Sequence, residues 1–125
     1  MHHKIELEYL FNCSPKALFS RLSSPEGLSE WFANKVDAEK DLFTFIWDKT
    51  ESKAKLSAIK ENRLVRFEWL DDEGEDNYFE FRISVHELTN DLALIITDFA
   101  NPEEKEDTIF LWDTQITDLK RVLGL

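Results

Sequence analysis

Large aromatic side chains recur at every second position in three stretches of this chain, and their spacing restricts the fold more than any other feature. The stretches carry Phe43, Phe45 and Trp47, then Val65, Phe67 and Trp69, then Phe79 and Phe81. Side chains at alternate positions of a β-strand point to the same face of the sheet. The spacing therefore predicts three strands that together present one aromatic face.

The last part of the chain changes from a two-residue period to a helical one. Its apolar residues follow one another at steps of three and four, and they are Ile109, Trp112, Ile116, Leu119 and Leu123. Such steps place side chains on one stripe of a helix. The acidic segment 103–107 precedes this stripe and Gly124 follows it, as is typical of a helix start and a helix end. The sequence predicts a long helix that packs its apolar stripe on the aromatic face.

Two short helices are predicted after the first strand, at about 15–22 and 25–32. Ser14 and Ser24 each precede a proline, so that a hydroxyl can cap the helix and the proline takes the first helical position. Alternating apolar residues predict strands at 4–11, 35–39, 42–47, 52–60, 63–70, 78–88 and 92–100. From residue 35 onward the turns between strands are only a few residues long, which excludes parallel crossovers. We therefore expect an antiparallel meander.

Within these strands, the alternation also assigns faces. Ala54, Leu56 and Ala58 are predicted to share one face of their strand, while Glu80 and Arg82 are predicted to point away from the aromatic face, as is His86. The strand 92–100 is apolar at both alternate sets of positions as far as residue 96. This pattern indicates a central strand covered on two sides, or a strand with one face in an interface.

Composition excludes several classes of protein. The 125 residues predict a single domain over 1–125, with 42% hydrophobic and 33% charged residues. No apolar run approaches the roughly 18 residues that cross a bilayer, and the N-terminus runs directly into a strand, so we expect a cytoplasmic protein without membrane insertion. The net charge of −11 disfavours nucleic acids and anionic lipid surfaces. The acidic run 71–76 is predicted to be an exposed hairpin loop.

Few residues are candidates for chemistry. Asp98 follows an apolar stretch, where burial would raise its pKa, although a hydrogen-bonded carboxylate at a strand end fits the same position. Cys13 has no neighbouring base in sequence and is interpreted as a structural thiol. His86 is predicted to face solvent, and His2 and His3 lack further ligands at metal-site spacing. We therefore expect no catalytic residue, no metal and no cofactor.

Four segments resemble a known family. They are SSPEGLSEWF at 23–32, YFEF at 78–81, TDF at 97–99 and LWDTQITDLKRVLG at 111–124. They are similar to a compact START-like family of Bacteroidetes bacteria, and the resemblance extends over nearly the whole chain. Its wider superfamily, also called SRPBCC, includes plant pathogenesis-related allergens, polyketide cyclases and the activator-of-Hsp90-ATPase family. The resemblance implies an α+β helix-grip fold, in which a curved antiparallel sheet of about six or seven strands wraps around the long C-terminal helix.

The resemblance also implies a cavity between that helix and the concave face of the sheet. In the wider superfamily this cavity holds lipids, sterols, hormones or aromatic polyketides. The lining that the resemblance implies here is Trp31, Phe32, Phe43, Phe45, Trp47, Phe67, Trp69, Phe79, Phe81, Trp112 and Ile116. Aromatic rings also fill cores, so a filled concave face and a usable pocket are both open at this point. The short helix with Trp31 and Phe32 is expected to form a weakly anchored lid.

Three functions fit the sequence. The favoured one is a noncatalytic binding module for a small hydrophobic or aromatic ligand, because the aromatic face would line its cavity. The second is a protein-interaction or co-chaperone-like module, for which a protein partner or a homodimer is expected. The third is an enzyme of the cyclase or dehydratase type. The sequence does not identify a ligand.

Overall fold

Seven strands, three α-helices and a short 3₁₀ helix make up the described part of the chain, residues 2–71 and 77–125 of a computed structural model. The strands are β1 His3–Phe11, β2 Lys35–Glu39, β3 Leu42–Trp47, β4 Thr50–Lys60, β5 Leu64–Trp69, β6 Tyr78–Val85 and β7 Leu92–Ala100. The helices are α1 Pro15–Ser23, α2 Pro25–Leu28, the 3₁₀ helix Pro102–Glu104 and α3 Lys105–Val122.

The strands form one antiparallel sheet in the order β1-β7-β6-β5-β4-β3-β2. Strands β2 to β7 are the predicted meander, and β1 returns to pair with β7. Strand β7 is therefore internal, which agrees with the first of the two interpretations of its apolar sequence. The sheet with its long C-terminal helix confirms the predicted α+β helix-grip fold.

Serine hydroxyls start both short helices, as the sequence predicts. The Oγ atom of Ser14 accepts from the backbone N–H of Ala17 at 3.1 Å, and that of Ser24 accepts from Gly27 at 3.0 Å. Helix α2 ends at Leu28 rather than at 32. The Ser29 hydroxyl donates to the carbonyl of Pro25 and accepts from the backbone N–H at position 36, and these side-chain bonds compete with a continuing helix.

Gly27 allows helices α1 and α2 to approach closely. A Cβ atom at this position would overlap the carbonyl oxygen of Ser20 and lie 2.7 Å from the Cα atom of Arg21, and both are backbone atoms. We expect Gly27→Ala to lower the free energy of unfolding by about 1–3 kcal/mol, the usual range for overpacking. Urea denaturation measures the loss, with exposed Glu26→Ala in the same helix as the control. Equal stability of the two variants would contradict this packing.

The centre of the concave face is filled by its own rings. Five phenylalanines there are at most 3% exposed, and they are Phe43, Phe45, Phe67, Phe79 and Phe81. Helix α3 covers them with Trp112, Ile116 and Leu119, as the helical stripe predicts. The Tyr9 hydroxyl of β1 also donates to the Asp113 carboxylate of α3 at 2.6 Å. In this region the first of the two alternatives, a filled core, is correct.

A β-bulge in β4 contradicts one predicted face. The pairing of β4 with β5 shifts between Leu56 and Ala58, so that Ala58 pairs with Arg66 while Ile59 pairs with Val65. The extra residue in a bulge moves every later side chain to the opposite face. Ala58 therefore does not share a face with Leu56, and the prediction from simple alternation is wrong at this point.

Glu80 is the second correction. It lies on the outer face of the sheet as predicted, but only 5% of it is exposed. The Arg66 side chain donates to its Oε1 atom from Nε at 3.0 Å and from Nη2 at 2.7 Å, and Arg82 lies 3.4 Å from Oε2. The Arg66 guanidinium also stacks on the Tyr78 ring at 4.3 Å. The two arginines therefore compensate the buried charge of Glu80, whereas simple alternation predicts that this side chain faces solvent.

The remaining polar predictions have clear outcomes. Arg82 and His86 are exposed, as is the acidic segment 103–107. Residues 72–76 of the predicted acidic loop lie outside the described residues. Gly124 has a φ of 78°, which is the left-handed conformation expected of the residue after a helix.

Candidate functional site

A cleft of about 830 Å³ lies at the end of the concave face, beside α3. One wall is the segment 29–34 that follows α2, and another is formed by Trp47 and Trp69 at the ends of β3 and β5. The end of β7, residues 98–100, and one side of α3 complete it. The cleft thus opens where α3 extends beyond the filled part of the sheet.

The structure divides the predicted lining residues into two groups. Those that line the cleft are Trp31, Phe32, Trp47, Trp69 and Trp112. Those that lie in the packed core are Phe43, Phe45, Phe67, Phe79, Phe81 and Ile116. The two groups share the concave side of the fold, but α3 covers the second group. The role of any of these residues in binding stays a prediction.

Sequence reasoning missed a second stripe of α3 that lines the cleft. This stripe consists of Thr108, Leu111, Gln115 and Asp118, and Glu104 at the end of the 3₁₀ helix precedes it at the same spacing. These positions follow the same steps of four and three as the apolar stripe, so their spacing alone predicts that they share one side of a helix. Most of the stripe is polar, and polar helix positions are usually interpreted as facing solvent.

Hydrogen bonds fix the segment 29–34 in place. The carbonyl of Phe32 accepts from Trp47 Nε1 at 2.8 Å and from Gln115 Nε2 at 2.9 Å. Trp31 Nε1 donates to the carbonyl of Arg21 at 2.8 Å. Trp31 and Phe32 are also only 6% and 5% exposed. The expectation of a weakly anchored lid is therefore wrong, because these side chains belong to the core and bridge it to the cleft.

Asp98 joins strand β7 to helix α3 at the cleft. Its Oδ2 atom accepts from Trp112 Nε1 at 2.8 Å, and its Oδ1 atom accepts from the backbone N–H of Phe99 at 2.8 Å. Burial raises the pKa of this carboxyl, while the two hydrogen bonds and the nearby His2 oppose the rise. This geometry agrees with the second interpretation of Asp98 in the sequence analysis, a hydrogen-bonded carboxylate at the end of a strand.

The raised pKa of Asp98 predicts how its charge affects stability with pH. Between the ordinary value of 3.8 and the higher value in the fold, the native protein binds more protons than the unfolded chain, so stability falls as pH rises. Asp98→Asn does not titrate. The difference in free energy of unfolding, wild type minus Asp98→Asn, should therefore decrease as pH is raised from about 3 and become constant above the raised pKa.

Urea denaturation across this pH range measures the difference, and Asp107→Asn on the exposed side of α3 serves as the control. A difference that increased with pH would show that the hydrogen bonds from Trp112 and Phe99 outweigh burial.

Of the other candidates for chemistry, His2 lines the cleft, whereas Cys13 and His86 lie apart from it. Cys13 is half-buried, and burial raises the pKa of its thiol, which disfavours the reactive thiolate. Among residues 2–71 and 77–125, no group of three or more His, Cys, Asp or Glu side chains is placed to hold a metal ion. None of the helices in that part of the chain is long and apolar enough to cross a membrane.

The family assignment rests on the whole chain. The START-like superfamily domain matches residues 1–125, and this chain belongs to that superfamily. The chain is also similar to a Bacteroides fragilis protein whose structure was determined by NMR in solution. The two are 42% identical with a TM-score of 0.70, and the match covers 99% of this chain and 93% of the other. The resemblance inferred from the sequence is therefore confirmed.

More distant structures show the same fold. The Aha1 dimer of Colwellia psychrerythraea is 15% identical with a TM-score of 0.78, and the match covers 94% of this chain and 93% of that one. A protein of the dynemicin biosynthetic locus is 12% identical with a TM-score of 0.79, over 97% of this chain and 47% of its own. At these identities the likeness concerns the fold alone. No curated protein matches the chain.

Proposed function

We propose that this chain is a noncatalytic binding module that takes a small apolar or aromatic molecule into the cleft between α3 and the sheet. The observation that supports this most directly is the cleft itself, which has about 830 Å³ of space and tryptophans in its walls. Ligand sites in proteins commonly have volumes of about 300–1,000 Å³ and apolar or aromatic walls. Trp47 and Trp69 are only partly covered by the fold, so a ligand would bury ring surface that now faces water.

The expected affinity follows from the buried area. A ligand that buries roughly 400 Å² of apolar surface gains about 10 kcal/mol. Association costs of at least about 4 kcal/mol leave roughly 6 kcal/mol. This corresponds to a dissociation constant of tens of micromolar, before any polar contact is counted.

The polar groups of the cleft support binding rather than catalysis. The hydroxyl of Ser29 donates to the carbonyl of Pro25, and that of Thr114 donates to the carbonyl of Phe110. Both oxygens of Asp98 accept hydrogen bonds from the protein. Thr108 and His2 also line the cleft, but among the described lining residues no hydroxyl is hydrogen-bonded to a base, the arrangement on which covalent catalysis relies.

A variant that fills the cleft tests the proposal. Thr108 lines the cleft, whereas Thr117 lies on the same helix, is exposed and does not line it. N-phenylnaphthylamine is uncharged at neutral pH and becomes fluorescent in apolar sites. We expect it to bind the wild type and Thr117→Trp equally, and to bind Thr108→Trp at least about tenfold more weakly because the indole occupies its space.

Equal binding by the two variants would place the probe elsewhere on the surface and contradict the proposal. Absence of binding to the wild type, both for this probe and in a screen of lipids, sterols and aromatic polyketides, would also contradict it. In that case the protein-interaction alternative, with a partner protein or a second copy, would take its place. Thermal melts of both variants confirm that each is folded at the temperature of the assay.

A further inference from the structure

The charged groups that line the cleft are nearly all acidic. They comprise the carboxylates of Glu30, Asp98, Glu104 and Asp118 and the imidazole of His2. Among the described lining residues there is no lysine or arginine. A ligand in the cleft therefore meets mostly negative charge, and His2 is the only basic side chain among the described lining residues.

Two of these carboxylates already have a cation from the protein. Glu30 pairs with Arg21 at 2.5 Å, and Asp118 pairs with Arg121 at 2.8 Å. Asp98 differs, because its two hydrogen bonds come from the neutral N–H groups of Trp112 and Phe99. Neither donor cancels its charge.

Among the described residues, Asp98 forms no ion pair with a lysine, arginine or histidine side chain. His2 is the basic group that acts on it, and burial still raises the pKa of the carboxyl. A carboxylate has about four lone-pair sites, and two of those on Asp98 are occupied by the donors from Trp112 and Phe99. The remaining sites can accept from a ligand, and a cationic donor would supply the missing counter-charge.

The tryptophans favour the same kind of ligand. The N–H groups of Trp47 and Trp112 are bonded to the Phe32 carbonyl and to Asp98, so that these rings offer carbon surface rather than donors to the cleft. The faces of tryptophan rings attract cations, and desolvation strengthens the attraction. The amide of Gln115 also donates to the Phe32 carbonyl, so this side chain too is held by the protein.

We propose that the ligand of this cleft carries a positively charged nitrogen on an apolar or aromatic body, with Asp98 as its anionic partner and the tryptophan rings around it. This inference rests on the proposed binding function and specifies its ligand class. An amine or a quaternary ammonium group satisfies the ring contacts, and an amine also donates to Asp98.

Three indole compounds test the charge preference directly. Tryptamine, tryptophol and indoleacetate share one ring system and carry an ammonium, a hydroxyl and a carboxylate. Isothermal titration calorimetry of the unchanged chain at neutral pH should show tryptamine binding at least about tenfold more tightly than tryptophol, with indoleacetate the weakest. This ranking needs no variant, so it holds as a test even if substitution of Asp98 disturbs folding.

Asp98→Asn then tests the assigned residue. It keeps the shape of the side chain and removes its charge, and we expect tryptamine and tryptophol to bind this variant within about threefold of each other. Asp107→Asn removes the same charge from an exposed site of α3 that does not line the cleft, so it should keep the full preference. Retention of the preference by a folded Asp98→Asn variant would overturn the assignment of Asp98.

The outcomes separate this inference from the function on which it rests. Tryptophol or indoleacetate binding as tightly as tryptamine would overturn the charge preference and leave the binding function intact. Binding of uncharged N-phenylnaphthylamine in the cleft without any binding of tryptamine would do the same. Absence of binding by every compound, including the naphthylamine, would overturn the proposed function itself.

Discussion

Replacing Trp112 by alanine should lower the free energy of unfolding by about 3–5 kcal/mol, the range for truncating a buried aromatic side chain. Trp112 is only 4% exposed, and its ring lies 5.8 Å from that of Phe32 and 5.9 Å from that of Phe81. It also donates the hydrogen bond to Asp98 that ties α3 to β7. Its loss therefore removes apolar burial and leaves a carboxylate with one donor fewer.

Urea denaturation of Trp112→Ala and Phe110→Ala measures this effect against a control on the same helix. Phe110 is 72% exposed, so its truncation should change stability by no more than about 0.5 kcal/mol. Trp112→Phe keeps a six-membered aromatic ring and removes the indole N–H together with the rest of the indole, so we expect a loss smaller than that of Trp112→Ala. A loss below about 1 kcal/mol in Trp112→Ala would show that α3 packs on the sheet through another face.

Phe32→Ala is also expected to cost roughly 3–5 kcal/mol, because this ring packs inside the aromatic cluster. Its centroid lies within 6.2 Å of six other rings, those of Trp31, Phe45, Trp47, Phe79, Phe81 and Trp112. Truncation leaves a cavity whose lining belongs to the sheet, to α3 and to the segment after α2. These elements cannot all move inward to fill it.

The same urea series tests this expectation, with Phe110→Ala as an identical chemical change at an exposed site. Phe32→Leu should recover part of the loss, since it restores much of the side-chain volume. A lid residue would behave differently, because its truncation would leave the free energy of unfolding nearly unchanged. That result would support the weakly anchored lid that the sequence predicts, which the hydrogen bonds of segment 29–34 contradict.

The strands were predictable because short polar turns separate them in the sequence. Strands β2, β3 and β7 have the predicted bounds, and the turn residues Lys40, Asn62 and Asn90 all have positive φ angles between 57° and 61°. Asparagine tolerates this backbone conformation better than most residues, so two of these turns also had a favourable residue in sequence. The N-caps were predictable for a similar reason, since Ser-Pro pairs act locally.

Features that depend on tertiary contacts were not predictable. The bulge after Leu56 follows from the pairing of β4 with β5, which alternation along one strand does not contain. The burial of Glu80 requires Arg66 on the neighbouring strand, two residues that lie fourteen positions apart in sequence. Helix α2 ends early because Ser29 bonds to groups on both sides of it.

Only some of the predicted lining residues lie in the cleft, and the reason is geometric. Period-two spacing assigns a ring to the concave face but does not say whether α3 covers it. Trp47 and Trp69 line the cleft while Phe45 and Phe67 on the same strands are buried, and each pair differs only by one two-residue step toward the end of its strand. The second stripe of α3, which includes Gln115, follows a helical spacing, but Leu111 is its only apolar member, so hydrophobic periodicity did not single it out.

Nuclear magnetic resonance of the indole N–H protons tests the central proposal most directly. During titration with tryptamine, we predict that the signals of Trp47, Trp69 and Trp112 shift together with the backbone amides of residues 29–34, and that Thr108→Trp abolishes the shifts. The exposed segment 86–90, which connects β6 to the start of β7 and is not part of the cleft lining, should remain unchanged. Shifts confined to residues outside the cleft, or equal shifts in Thr108→Trp, would contradict the proposal that this cleft is the binding site.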